Sequence, residues 1–479
     1  MGARTGKEFL EGLKDDREIW LAGERVDDVT SHAAFAGAAE QMAALFDLQH
    51  DEPETLLTVD EASGERINAT HVIPRSRDDL ALRHRAIRRI AHSTLGLMGR
   101  SPDYLNVTMA GFAGRCDVWA RNGNERGADN LVRFQREAAL HDWSMTHAIV
   151  NPTIDKTQRE VDTGDGKIVL HKVGETQDGI VVSGARALAT LAPFADEMVI
   201  YPGQPIPRDA SDYALAFSIP MATPGLKVLC RDSYSVSGPA FDHPFSTRFD
   251  EQDAVIIFDQ VVVPHERVFL DGDTEVYNKV MTTGWTANIM QQTTIRAHVK
   301  LDFAWQLATR MAEVIGAGSP GTLEQLGEIW TYAELTRSGL MAAEAGAYEW
   351  GNGVWFCDER PFRALRPTLP RWMPRVNEII KLIGAHNLLA TPTRAELDNE
   401  ILRPLLDKYY AGANGTDAEA RIAIFRAAWD LVGSALAGRI ELYERFYLAS
   451  SQRMYQVAHA ASVRDADFGL VDSILRAGS

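Results

Sequence analysis

The sequence predicts an α+β fold in three consecutive parts: a helical domain over residues 1–150, a central antiparallel β domain over 151–272 and a helical bundle over 273–479. Changes in apolar periodicity predict it. Apolar residues recur at steps of three and four up to about residue 150, alternate with period two to about 270, and return to long helical spacing after 275. In the middle part six short runs rich in Val and Ile follow one another with no helix between them, which favours an antiparallel sandwich or barrel over a Rossmann sheet.

In the first part, Phe35, Ala38, Met42 and Leu45 form one helical stripe behind the N-cap candidates Thr30 and Ser31. Ser76 and Asp79 approximate a capping box for a second helix, whose stripe is Leu80, Ile87, Ile90 and Leu97, with Arg83, Arg85, Arg88 and Arg89 mainly off it. This helix should stop near Gly96 or Gly99. Ser101 and Pro102 suit the N-cap and first position of the next one, placing Arg100 at a junction and Tyr104 in a first turn. A further helix is expected from Asp129 to about His147, ended by the bias that Pro152 imposes on Asn151.

Strands are expected at 167–173, 179–187, 197–201, 213–219, 226–231 and 254–263. They are separated by turns such as Asp165-Gly166, Asp178-Gly179 and Thr223-Pro224-Gly225. Bundle helices are expected at 288–317, 322–349, 373–389 and 418–449.

Composition narrows the function classes. Forty-nine basic against 66 acidic side chains give a net charge of −17, which opposes non-specific binding to nucleic acid or an anionic membrane. Cys116, Cys230 and Cys357 show no paired spacing, so neither a disulfide framework nor a metal site is expected, and a cytoplasmic location fits. No apolar run reaches the ~18 residues of a membrane span, and the polar first 16 residues lack a signal-peptide core. The Gly316–Gly321 segment satisfies GxGxxG, but a helix precedes it where a strand is needed, so it reads as a helix–helix loop. Walker, HExxH and GxSxG motifs are absent.

Chemistry therefore rests on Gly-Arg-Ser-Pro-Asp-Tyr at 99–104 and Thr-His-Ala-Ile-Val-Asn-Pro at 146–152. They offer a guanidinium, a phenol and an imidazole to one aromatic substrate. Plainer roles remain open from composition alone. Arg100 suits a salt bridge or helix cap, Tyr104 suits packing, and His147 suits a helix C-terminus.

Many segments, taken in order, resemble the oxygenase components of two-component flavin-dependent aromatic hydroxylases, the 4-hydroxyphenylacetate 3-monooxygenase family. They run from Arg4–Leu10 and Gly23–Thr30 through Met98–Tyr104, Thr146-His147, Asn151-Pro152 and Gly179–Arg186. Thr223–Leu226, Phe241–Pro244, Pro264–Phe269 and Gly438–Phe446 follow. The resemblance implies an acyl-CoA dehydrogenase-like fold and a homotetramer. It also implies reduced FAD delivered by a separate NAD(P)H:flavin reductase, O2 as co-substrate, and hydroxylation ortho to a phenol's hydroxyl through a flavin hydroperoxide.

By the same resemblance Arg100, Tyr104 and His147 are the catalytic and substrate-binding residues. Ala148, Ile149, Asn151, Thr190, Arg439, Glu441 and Tyr443 meet the flavin, and Gly203 and Gln204 lie on the substrate loop. Arg100 would favour the phenolate, and a neutral His147 would accept the proton. The chain departs from its relatives at three places. Gly203-Gln204 stands for Ser-Thr, His265 for Trp, and Ala449-Ser450-Ser451 for Gly-Asp-Pro. The hydroxyphenyl end of the substrate is thus better specified than its tail, and a carrier-tethered or halo- or nitrophenol substrate stays open. The alternatives on this fold are acyl-CoA dehydrogenase-like or 4-hydroxybutyryl-CoA dehydratase-like flavoenzymes.

Overall fold

The computed structural model describes residues 2–477. Ser76 caps Arg77–Ser93 by accepting from the Asp79 amide at 3.2 Å, while the Asp79 carboxylate accepts from the Ser76 hydroxyl and the Arg75 amide. Arg83 differs from expectation: it is fully buried and donates to Asn288 Oδ1 at 2.9 Å. Left-handed Leu95 and Gly96 break the chain after Ser93. Gly96 is needed there for space as well, because a Cβ would lie 2.6 Å from the Arg296 carbonyl oxygen. The next helix, Asp103–Gly114, is buried along its whole length against Trp285–Val314.

The helix expected to reach His147 is Glu125–His141, which ends six residues earlier on left-handed Asp142. Met145–Val150, carrying His147, is a strand. Six consecutive residues without charge suit a buried strand as well as a helix end, and periodicity alone cannot separate the two.

The central sheet has ten strands. Its order is Val268–Asp271, Leu215–Pro220, Glu197–Ile200, Met145–Val150, Gly179–Thr190, Asp253–Pro264, Leu226–Cys230, Glu18–Leu21 and Glu24–Val26, with His171–Glu175 paired onto Gly179–Thr190. The six expected runs all contribute strands. The purely antiparallel expectation needs correction, since Met145–Val150 runs parallel to Glu197–Ile200 and Glu18–Leu21 parallel to Leu226–Cys230. Three strands of this sheet, Glu18–Leu21, Glu24–Val26 and Met145–Val150, also come from the part read as helical.

The C-terminal helices Trp285–Val314, Pro320–Ala345, Glu359–Gly384, Ala418–Val432, Ala435–Phe446 and Ser451–Asp465 pack on one another, and the first also packs on Arg77–Ser93 and Asp103–Gly114. The third of these starts 14 residues before the expected 373, running through Pro367, Pro370 and Pro374. The expected 418–449 helix is two, separated at Gly433-Ser434, where Ser434 caps the second through the Ala437 amide. Gly316–Ser319 is a helix–helix loop, as read from sequence, and the Ser319 hydroxyl accepts from the Thr322 amide. Among the described residues no helix is long and apolar enough to cross a membrane.

Candidate active site

Arg100, Tyr104 and His147 converge. The helix junction delivers Arg100, the first turn of Asp103–Gly114 delivers Tyr104, and the third residue of Met145–Val150 delivers His147. The Arg100 guanidinium carbon lies 3.9 Å from the Tyr104 ring centroid, a cation–π contact. The Tyr104 and His147 rings stack with centroids 5.4 Å apart at 20°, and Tyr201 lies another 5.4 Å from His147.

Two fixtures hold Arg100. Its amide donates to Glu251 Oε1 at 2.6 Å, and its Nη1 donates to the Tyr443 hydroxyl at 2.5 Å. Tyr443 in turn donates to the Gly99 carbonyl at 3.1 Å. A side chain at residue 99 would occupy the same space, since a Cβ there would sit 2.3 Å from Tyr443 Cζ. Glu251 is fully buried and also accepts from Arg439 Nη1 at 2.5 Å. Arg439 pairs in bidentate fashion with Asp253 at 2.7 and 2.8 Å, and Asp253 accepts from the Thr190 hydroxyl at 2.8 Å. Thr190 is linked back to the His147 strand, because its carbonyl accepts from Thr146 Oγ1 at 2.6 Å.

Charge states follow from this packing. Burial pushes the His147 pKa well below that of a free histidine, and the Arg100 cation adds to the effect, so the imidazole is neutral at pH 7. Burial also works against the Arg100 charge, but Tyr104, Tyr443, Tyr201 and Glu251 outweigh it and the guanidinium stays protonated. Burial raises the Tyr201 and Tyr443 phenols well above the ordinary tyrosine range. The cluster thus pairs a fixed cation with a neutral base.

The remaining sequence-predicted residues divide. Ala148 is buried opposite Ala189, and Ile149 is half-buried beside Gly203, where a Cβ would lie 2.6 Å from the Ile149 carbonyl oxygen. Asn151 accepts from Arg186 Nη1 and donates to Glu160 at 2.6 Å. Gln204 accepts from Arg453 Nη1 at 3.0 Å. Arg439 and Tyr443, four apart on one helix face, belong to the Arg100 network. Glu441 does not: it faces Asn377 and Arg445, on the far side of that helix. Sequence reading missed Tyr201, Glu251 and Asp253. None carries a motif, and only the fold brings them beside Arg100 and His147.

Family models place the chain. The model described as 4-hydroxyphenylacetate 3-hydroxylase N terminal matches residues 5–270, and its C-terminal counterpart matches 277–476. The chain belongs to the 4-hydroxyphenylacetate 3-hydroxylase family. Among curated members of that family, the 4-hydroxyphenylacetate 3-monooxygenase oxygenase component of Thermus thermophilus is 37% identical over 95% of this chain and 94% of its own. A 4-nitrophenol 2-monooxygenase oxygenase component from Rhodococcus sp is 37% identical over 92% and 85% of the two chains. A Streptomyces globisporus monooxygenase acting on a carrier-protein-bound 3-chloro-4-hydroxyphenyl substrate is 35% identical over 92% and 84%. The solved oxygenase component HpaB, complexed with FAD and 4-hydroxyphenylacetate, superposes with a TM-score of 0.92 at 36% identity, covering 99% and 98% of the two chains. An archaeal 4-hydroxybutyryl-CoA dehydratase shares the fold at 19% identity, with a TM-score of 0.86 over 95% and 92%. The α+β class read from the sequence stands.

Proposed function

We propose that this chain is the oxygenase component of a two-component flavin-dependent monooxygenase that hydroxylates a 4-hydroxyphenyl substrate ortho to its hydroxyl. The observation that carries the reading is the Arg100–Tyr104–His147 cluster, a cation and a neutral base against one phenol. The residues around it suit a flavin. Arg186 Nε beside Asn151 and the Tyr201 hydroxyl beside His147 are buried donors without partners at hydrogen-bond geometry. Thr190, Ala148, Ile149 and Asn151 would line the flavin, while Arg439 and Tyr443 act by holding Arg100.

Held by these residues, reduced FAD from a separate flavin reductase would supply the chemistry that makes an oxygen atom of O2 electrophilic. The protein's own residues make the substrate ring accept it. A free phenol has a pKa of ~10 and is mostly protonated at neutral pH. Arg100 beside the substrate oxygen favours the phenolate, His147 takes the hydroxyl proton, and electron density rises on the ring carbon next to the oxygen. Tyr104 orients the same oxygen by a hydrogen bond. Burial of the cluster keeps water away from the reactive oxygen.

The three parts, 1–150, 151–272 and 273–479, divide the labour. The first carries Arg100, Tyr104, His147 and the flavin-facing strand Met145–Val150, the second Asn151, Thr190 and Glu251, and the third Arg439 and Tyr443. Leu389, Ile401, Tyr409 and Leu470 are 71–87% exposed, which supports assembly of the helical part into a homotetramer. Three free thiols and dependence on an NAD(P)H-fuelled reductase suit the cytoplasm. The test is an anaerobic titration with reduced and oxidised FAD, followed by aerobic turnover of a phenol panel with a generic flavin reductase. The expected result is preference for the reduced form and a mass gain of one oxygen. Tight oxidised FAD without oxygen insertion would favour a dehydrogenase-like or dehydratase-like enzyme.

A further inference from the structure

We propose that Arg296 is a positioning residue for the hydroxylation: it ties the Gly96–Arg100 junction to the Tyr443–Tyr447 stack and so aims the Arg100 guanidinium. This rests on the phenol-hydroxylase reading and adds a residue to its machinery.

Arg100 depends on its neighbours for direction. Its guanidinium donates to the Tyr443 hydroxyl and, at 3.3 Å, to the Gly99 carbonyl, and among the described residues no carboxylate pairs with it. Tyr443 therefore sets where the cation points. Three groups hold the Tyr443 ring. Tyr447 stacks on it with centroids 4.7 Å apart at 10°, and the guanidinium carbons of Arg439 and Arg296 lie 5.1 and 5.4 Å from its centroid. Arg296 is also 5.1 Å from the Tyr447 centroid, so it grips both rings.

The same guanidinium reaches the junction. Arg296 Nη1 donates to the Gly96 carbonyl at 2.9 Å and to Glu444 Oε1 at 2.8 Å, and Nη2 donates to Glu444 Oε2 at 3.3 Å. Glu444 directly follows Tyr443 on Ala435–Phe446. One side chain thus joins the first residue of the junction to the helix carrying Tyr443, while Tyr443 and Glu251 fasten its last two residues. Lys300, four residues on from Arg296, donates to Glu444 Oε1 at 3.1 Å. Burial opposes the Glu444 charge, but Arg296 and then Lys300 hold its pKa down at about 2, so the carboxylate stays ionised.

Arg296, Lys300 and Glu444 are all buried. Well-packed apolar side chains would serve stability as well as such a cluster does. They could not bond a carbonyl and a carboxylate at once while facing two rings, which is a task for a planar fork of donors. That directional bridge stands at the base of the segment bearing the substrate-facing cation.

The test titrates 4-nitrophenol, whose phenolate is coloured, on the anaerobic reduced-FAD complex. Wild type should lower the phenol's pKa on binding by about 1–3 units, and Arg100→Ala should abolish that shift. Arg296→Gln leaves Glu444 paired with Lys300, so it should bind reduced FAD as wild type does and raise the bound pKa by about 1 unit. Combined with Arg100→Ala it should raise the bound pKa no further, because both changes act through one group. Arg296→Lys, which keeps the charge without the fork, takes its place if Arg296→Gln does not fold, with the same shift expected. A bound pKa equal to that of wild type overturns the proposal, as does a loss of reduced-FAD affinity in place of the shift. So does an equal shift on the Arg100→Ala background, since Arg296 would then act by its own charge at a distance. A lowered pKa in wild type without oxygen insertion would instead strike the proposed activity and leave the positioning role standing.

Discussion

Replacing Arg100 by alanine tests the electrostatic core of the mechanism. The substitution removes a guanidinium 3.9 Å from the Tyr104 ring centroid and its bond to the Tyr443 hydroxyl. The bond from the residue 100 amide to Glu251 survives because it is main-chain, and Tyr443 keeps its donation to the Gly99 carbonyl. The lost stacking and charge-assisted hydrogen bond cost about 1–3 kcal/mol, so the fold should persist with a modestly lower Tm. The effect on chemistry is larger. A cation at this range lowers a phenol's pKa by about 1–3 units, which raises the phenolate fraction at pH 7 by about 10- to 1000-fold. Single-turnover hydroxylation by Arg100→Ala with reduced FAD and O2 should therefore fall by about that factor at pH 7. Its rate should then climb about tenfold per pH unit toward pH ~10, as the substrate ionises unaided. Wild type should level off about 1–3 pH units lower. A variant with near-normal rate at pH 7, or with a profile parallel to wild type, would refute the role assigned to Arg100.

His147→Ala removes the proton acceptor while leaving flavin chemistry running, so the ratio of hydrogen peroxide to hydroxylated product should rise as product formation falls by about 100-fold; an unchanged ratio counts against the assignment. Gly99→Ala should displace the Tyr443 ring, given the 2.3 Å approach to Cζ, and lower kcat with little change in KM. Unaltered kcat would show that Tyr443 does not position Arg100. His71 is buried with both ring nitrogens unpartnered, and burial pushes its pKa down to about 3. Its folded pKa lies below the unfolded value of ~6.5. Its contribution is therefore complete above pH ~6.5 and is lost as pH falls toward 3, by about 1.4 kcal/mol per pH unit. His71→Asn should flatten the acid limb of a denaturant-midpoint profile by about one proton's slope, and an unchanged limb would contradict this.

The β runs were legible in the sequence because alternating Val and Ile between Gly-rich turns leave one reading. Bundle helices were legible where their apolar stripes are long. His147 shows the limit, since its flanks are apolar on both sides and the helix before it stops on Asp142, a residue that tolerates the left-handed turn. Helix Glu359–Gly384 was half-read because its three prolines look like a loop; packing on Trp285–Val314, Pro320–Ala345, Ala418–Val432, Ala435–Phe446 and Ser451–Asp465 sustains it regardless. Arg100 and Tyr104 could be singled out from a motif. Their supports could not, because Glu251 and Arg439 lie 151 and 339 positions away from Arg100 and meet it only through the sheet and the bundle.

The buried lattice of Glu251, Arg439 and Asp253 has a consequence for anyone redesigning this enzyme. It welds the main chain at Arg100 to the end of the Thr190 strand, so the reactive end of the cleft is rigid and intolerant of change. Residues 203–204 stand outside that weld. Libraries confined to those two positions should shift which phenols are accepted while sparing turnover, whereas libraries reaching inward should yield mostly inactive protein.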